Sequence, residues 1–144
     1  MEKYKKKRLL AAEQIGRMQN RHPNFKCRTA KKSENGFQWD GIVKPTLLSE
    51  SYKVRVTLHQ GKSPHIRVLE PILKLRPGAK RIPHTYADGS LCLYTREKFE
   101  WHPMKYLADT VIPWISSYLC YYEWWLSSGI WFGDGTDPVP SQNN

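Results

Sequence analysis

The sequence predicts an α+β fold: an N-terminal helix, a four-stranded antiparallel meander, an extended stretch that carries the chemistry, and a C-terminal helix. Three observations lead there. Apolar residues recur at helical spacing near both ends, over 3–20 and again from Thr110 to Leu126. Between them, short runs alternate with period two, most clearly Tyr52, Val54, Val56 and Leu58 against Lys53, Arg55, Thr57 and His59. The connections between these runs are short and rich in Gly, Asn and Pro, which joins antiparallel neighbours.

The first helix is expected over 3–20, with Leu9, Leu10, Ile15 and Met18 as a partial apolar stripe and Ala11, Ala12, Glu13 and Gln14 as helix formers. Lys5, Lys6, Lys7 and Arg8 crowd its start, against the positive end of the helix dipole. They form either a solvated face or a docking face for a partner. His22-Pro23-Asn24 reads as a helix stop. Strands are expected at Phe25–Ala30, Phe37–Val43, Tyr52–His59 and His65–Leu69, with Asn35-Gly36 as a hairpin turn and Phe37, Trp39 and Gly41 sharing one face. A basic, irregular segment follows, with Lys74, Arg76, Lys80 and Arg81 around Pro77-Gly78. It is either a solvated loop or a source of positive charge that favours a nearby thiolate. The last helix starts with Thr110 as N-cap and Pro113 in its first turn. It buries Val111, Trp114, Ile115, Tyr118, Leu119, Tyr122, Trp125 and Leu126, and Gly129 ends it in a left-handed cap. Trp124 and Trp131 fall off that stripe and are expected to form an exposed patch. A single domain is expected over 1–132 and a polar tail over 133–144.

At 144 residues the chain can bury a core without disulfide staples. The net charge of +10 implies an acidic partner: a nucleic acid, an anionic membrane and an acidic protein face are all compatible with it. No nucleic-acid motif accompanies the charge, so nucleic acid is not expected. Cys27, Cys92 and Cys120 are few, odd in number and far apart, without zinc spacing, so no metal and a reducing, cytoplasmic setting are expected. The basic N-terminus lacks a following apolar region, so no signal peptide is expected. The apolar C-terminal run is interrupted by Asp109, Pro113 and Glu123, so no membrane span is expected.

The chemistry is expected at Ile82-Pro83-His84-Thr85-Tyr86-Ala87-Asp88-Gly89-Ser90-Leu91-Cys92-Leu93, followed by Trp101-His102-Pro103. Asp88-Gly89 marks a tight turn. Leu91 and Leu93 are expected to face a core and the Cys92 thiol to face outward, available as a nucleophile. Cys27 and Cys120 are expected to be buried and inert. A cysteine-protease site would need one of His59, His65 or His102 within reach of Cys92, and no protease signature surrounds it.

These residues resemble the active-site stretch of ubiquitin-conjugating enzymes. His84 stands at the His of the family's His-Pro-Asn signature, Gly89-Ser90-Leu91-Cys92-Leu93 matches the Gly-x-[IL]-Cys-Leu segment, and Trp101-His102-Pro103 matches the Trp-x-Pro that follows. Pro113-Trp114, Tyr122-Glu123-Trp124-Trp125-Leu126 and Gly129-Ile130-Trp131 narrow the resemblance to a compact bacterial branch. That branch is found in cyclic-oligonucleotide anti-phage (CBASS) operons. The resemblance implies a ubiquitin-conjugating-enzyme-like fold and a thioester on Cys92, formed without any cofactor. Its implied partners are an activating enzyme, docked by the first helix, and either a CD-NTase-like nucleotidyltransferase or a ubiquitin-like protein whose C-terminus is carried. His84 would hold the loop or move a proton, Asp88 would form the turn or act as acid or base, and Trp101 would pack near the cysteine and a partner. Thr85-Tyr86 departs from the family's Pro-Asn. The family asparagine is credited with supporting the oxyanion, and Tyr86 would either replace it as donor or only pack. Two other classes remain: a silent adaptor with the same fold, and a basic nucleic-acid-binding domain. The intact cysteine motif disfavours the first, and charge alone supports the second.

Overall fold

The computed structural model describes residues 8–29, 36–59, 61–93 and 101–133. The order of elements is α1 (Ala11–Arg21), β1 (Lys26–Thr29), β2 (Gly36–Val43), β3 (Tyr52–His59), β4 (His65–Glu70) and α2 (Val111–Ser128). The strands form one antiparallel sheet in the order β1-β2-β3-β4, the expected meander.

The period-two pattern has its physical outcome in the sheet. Trp39, Val43, Tyr52, Val54, Val56 and Ile66 point into a core that α2 closes with Val111, Ile112, Ile115, Tyr118, Leu119, Tyr122 and Trp125. Gly41 belongs on that inner face because Phe25 fills the space over it. A Cβ there would lie 2.4 Å from the Phe25 ring. The outer face carries much of the charge. Lys26, Asp40, Arg55 and Arg67 form one cross-strand row, and Arg28, Gln38, Thr57 and His65 form the next. Arg55 grips Asp40 with two bonds of 2.9 Å, and this pairing holds the carboxylate below its usual range.

α1 is shorter than expected. It begins at Ala11, because the Leu9 N–H donates to the Pro103 carbonyl at 2.9 Å and Leu10 is extended. The Glu13 carboxylate then accepts the Leu10 N–H at 3.1 Å, a cap the sequence pattern did not reveal. Lys5, Lys6 and Lys7 lie outside the described residues; Arg8 is exposed. His22-Pro23-Asn24 does stop the helix, and each polar side chain has a structural task. The His22 ring bonds the Ala108 carbonyl, and the Asn24 amide oxygen accepts the Ile42 N–H at 2.6 Å.

Helix α1 is tied to the segment before α2 by long-range polar contacts. Arg17 bonds Asp109 through both guanidinium arms, at 3.1 and 2.8 Å. Buried Gln14 donates to the Lys105 carbonyl at 2.9 Å and accepts the Leu107 N–H at 3.0 Å. At the other end of the chain α2 ends as expected, with Gly129 left-handed at φ 82° and its N–H on the Trp125 carbonyl. The helix has no basic residue in its last turn. Arg76 supplies the charge from the irregular segment, donating to the carbonyls of Trp125 (3.1 Å) and Leu126 (2.8 Å).

Two corrections to the sequence reading concern exposure. Cys27 is exposed, because β1 is an edge strand open along its length. Trp131 is half-buried against α2, so the patch off the apolar stripe is formed by Trp124 with Phe132 instead, their rings edge to face at 5.7 Å. The largest exposure lies elsewhere. Leu47 and Leu48 are 93% and 99% exposed on a turn whose backbone is fixed. Ser49 closes that turn on Thr46 and donates to Glu123 on α2 at 2.6 Å. Tyr52 donates to the other oxygen of the same carboxylate at 2.7 Å, and its burial, reinforced by this bond, pushes the phenol far above its ordinary pKa. Among the described residues no helix is long and apolar enough to cross a membrane.

Gln14 gives a direct test of the tie between α1 and the chain before α2. Gln14→Leu keeps the volume but leaves one carbonyl and one amide without a partner. We expect a loss of about 2–4 kcal/mol and a melting temperature lower by roughly 5–15 °C. A melt within about 1 °C of wild type would contradict the assignment.

Candidate active site

The expected extended stretch closes on itself as a small hairpin. The Cys92 N–H donates to the His84 carbonyl (2.9 Å), the Tyr86 N–H to the Ser90 carbonyl (2.8 Å), and the Gly89 N–H to the Tyr86 carbonyl (2.9 Å). Thr85 pairs with Leu91 across the middle. Gly89, at φ 87°, takes the left-handed position that lets a tight turn meet a strand. The Leu91 N–H then reaches the Ile66 carbonyl at 2.9 Å, which docks the hairpin on β4. Leu91 and Leu93 are buried in the core, as the alternation predicts.

Asp88 builds the turn. Its Oδ1 accepts the Ser90 N–H at 2.9 Å and the Ser90 hydroxyl at 2.6 Å, and its Oδ2 meets His65 Nε2 at 2.9 Å. The Arg67 guanidinium donates to its backbone carbonyl at 2.7 Å. The Ser90 and His65 contacts hold the carboxyl far below the usual carboxylate range. A group so firmly ionised is poorly suited to taking or giving a proton near neutrality. The turn-forming role of Asp88 is therefore the one its surroundings support.

His84 is buried and sits at φ 55°, a left-handed backbone that side-chain-bearing residues seldom adopt. The segment around it is heavily tied. Tyr118 on α2 donates to the Pro83 carbonyl at 2.8 Å, Thr85 donates to the Ile82 carbonyl at 2.8 Å, and Arg81 donates to the Thr85 carbonyl. The imidazole lies over the Trp131 indole, with centroids 5.1 Å apart and planes 30° apart.

The paired positions of the hairpin share faces, so Cys92, His84, Tyr86 and Ser90 line one side. Here the structure corrects the expectation that the Cys92 thiol faces freely outward. Cys92 is only 8% exposed, because the hairpin folds Tyr86 back over it. Burial first, then its interaction with the Cys92 thiol and the nearby negative charge, push the Tyr86 phenol up to about 12. Tyr86 is itself 41% exposed and forms the outer wall of the site. The hydrogen-bond register that brings Tyr86 to Cys92 has a sequence signal: Tyr-Ala-Asp-Gly-Ser sets a short loop, which makes residues 86 and 92 diagonal neighbours.

The other expected site residues fall in different places. Trp101 is half-buried against the core that includes Leu91 and Leu93, with its indole N–H buried and unpaired among the described residues. Of the four cations before the hairpin, Arg76 caps α2 and Arg81 braces Thr85, so these two serve the frame of the site. Of the histidines considered for a protease, His65 is engaged by Asp88, and His102 Nδ1 accepts the Met104 N–H at 3.1 Å. Burial raises the pKa of half-buried Cys120, and partial desolvation of the sulfur raises that of Cys27 although the residue is exposed, which disfavours the reactive thiolate at both. Among the described residues no cluster of His, Cys, Asp and Glu has the makings of a metal site. Sequence reasoning placed Trp131 in an exposed patch and missed its contact with His84, for which the sequence gives no local signal.

The arrangement offers one thiol in a braced hairpin, with one phenol donor upon it. A profile of the family described as Type II CBASS E2 protein matches residues 14–138. No curated protein matches the chain. The family match spans the sheet, the hairpin, α2 and all but the first turn of α1. The chain therefore belongs to the Type II CBASS E2 proteins, bacterial proteins with an E2-like role in anti-phage defence and with partners in a CBASS operon.

Proposed function

We propose that the chain is a ubiquitin-conjugating-like cysteine transferase with the corresponding fold, and that Cys92 carries the C-terminus of a partner protein as a thioester. The observation that carries this reading is the Tyr86 hydroxyl on the Cys92 thiol within a hairpin closed from both sides. The partner is a CD-NTase-like nucleotidyltransferase of the same operon, activated as an acyl adenylate by an activating enzyme.

Loading proceeds by attack of the Cys92 thiolate on the acyl carbon. The C–S bond forms, the bond to the adenylate oxygen breaks, and AMP leaves. In transfer, a target amine attacks the thioester carbon, the C–N bond forms, and the thiolate departs with the C–S electron pair. The ammonium proton passes to solvent base. Negative charge gathers on the carbonyl oxygen as the amine attacks, and the Tyr86 hydroxyl, next to the thiol, is the donor assigned to this transfer step. His84 and Asp88 hold the hairpin, and neither is required to move a proton.

Three outcomes test this reading. With activating enzyme, ATP and partner, wild type should form an adduct that thiol reductants remove, and Cys92→Ala should form none on a non-reducing gel. An adduct that persists in Cys92→Ala, on Cys27 or Cys120, would contradict the assignment.

Tyr86→Phe should load normally and discharge to an amine more slowly. A fully enclosed oxyanion donor is worth about 100- to 1000-fold. Water competes at the half-open Tyr86, so a loss of about tenfold is expected in single-turnover discharge. The phenol is protonated until the pH rises toward about 12, so the defect should be constant from about pH 7 to 9. A discharge rate equal to wild type would leave the ring as packing alone.

Reversing Lys5, Lys6 and Lys7 together should slow loading several-fold at low salt, since exposed ion pairs are individually weak. Unchanged loading with loss of tight DNA or RNA binding would instead give this cluster to nucleic acid.

A further inference from the structure

The chain beyond α2 returns to the hairpin. Gly129 turns it in a left-handed cap, Ser128 Oγ accepts the Ile130 N–H at 3.0 Å, and Arg76 fixes the last carbonyls of the helix. This path delivers Trp131 into a cluster of rings. Its indole lies 5.1 Å from His84, 5.1 Å from Tyr118 and 5.9 Å from Tyr121, centroid to centroid. The backbone of Gly133 closes over it: a Cβ there would lie 2.7 Å from the indole nitrogen and 2.8 Å from the Tyr121 ring.

The residue under that indole is the strained one. A left-handed backbone at a residue with a side chain costs of order 1–3 kcal/mol and persists only where its surroundings over-determine it. The carbonyl that this conformation aims is the one that accepts the Cys92 N–H at 2.9 Å. Tyr118, which touches Trp131, also holds the preceding Pro83 carbonyl. Ring contact, backbone conformation and the Cys92 hydrogen bond therefore form a chain of three steps.

We propose that Trp131 is a positioning residue for the Cys92 thiol, acting through the ring of His84. The indole holds the imidazole, the imidazole holds the His84 backbone in its left-handed state, and that backbone sets where the Cys92 strand lies. Without the indole, His84 relaxes toward negative φ, its carbonyl turns from Cys92, and the thiol shifts under Tyr86. The importance of this for transfer rests on the thioester reading above. The geometric claim does not, and its test needs only the thiol.

The test uses the full chain with iodoacetamide as the probe, following alkylation of Cys92 and Cys27 separately by mass spectrometry between about pH 7 and 9. Cys27, on the exposed edge strand β1, is the internal standard for reagent and pH, and a thermal melt of each variant reports general loosening. In Trp131→Ala the Cys92 alkylation rate should change by about fivefold or more, with an altered pH profile and Cys27 unchanged. Trp131→Phe, which restores a flat ring over His84, should return the Cys92 rate to within about twofold of wild type. Equal Cys92 rates in wild type and Trp131→Ala overturn the proposal. So do parallel changes at Cys27, or a Phe variant no closer to wild type than the Ala variant. Should Trp131→Ala fail to fold, Gly133→Ala displaces the indole from its other side and must give the same selective change at Cys92. Thioester loading of the same variants separates the two readings: a selective alkylation change in a protein that never loads leaves the clamp standing and removes the transferase.

Discussion

The site depends on one hydrogen bond, from the Cys92 N–H to the His84 carbonyl. It closes the hairpin, and it is possible only because His84 accepts a backbone conformation that most residues avoid. Everything nearby supports that concession. Tyr118 holds the carbonyl before it, Thr85 and Arg81 brace the residues after it, and Leu91 anchors the returning strand on β4. Local strain of this kind is stable where packing on several sides leaves no alternative. The Cys92 strand is thus placed by the frame of the domain.

The frame itself is assembled from two ties of different character. The sheet and α2 share an apolar core, which follows from simple alternation and helical periodicity. Helix α1 adds Met18 to that core and is joined to the rest also by polar contacts between residues far apart in the sequence, through Gln14, Arg17 and His22. Polar contacts of this sort add specificity, since each fixes orientation as well as proximity. They make the segment that follows Trp101 and leads into α2 part of the same body as the first helix.

Much of the fold was legible in the chain because the signals were local. The strands, the Gly129 cap and the stop at His22 each depend on a few neighbouring residues. The short Asp-Gly turn and the leucines around Cys92 marked the site for the same reason. What escaped was non-local. The start of α1 is set by the Pro103 carbonyl, the exposure of Cys27 by its edge position, and the role of Arg76 by a helix some fifty residues away. The burial of the thiol escaped too, because alternation assigns a face and says nothing of which side chain folds over it. Trp131 was misread most fully: helical spacing places a residue on a wheel, whereas this one lies past the end of the wheel.

Arg76 has one more consequence. It ends α2 with charge borrowed from the irregular segment, while Tyr122 accepts the Lys74 N–H at 2.6 Å and so fastens the same segment one turn earlier. Neither side can open alone. If the segment lifts, the last helical carbonyls lose their donor; if the helix frays, the segment loses its seat. Amide protons in the two should therefore exchange with solvent as one cooperative unit, with a shared opening free energy, although neither is regular structure continued from the other.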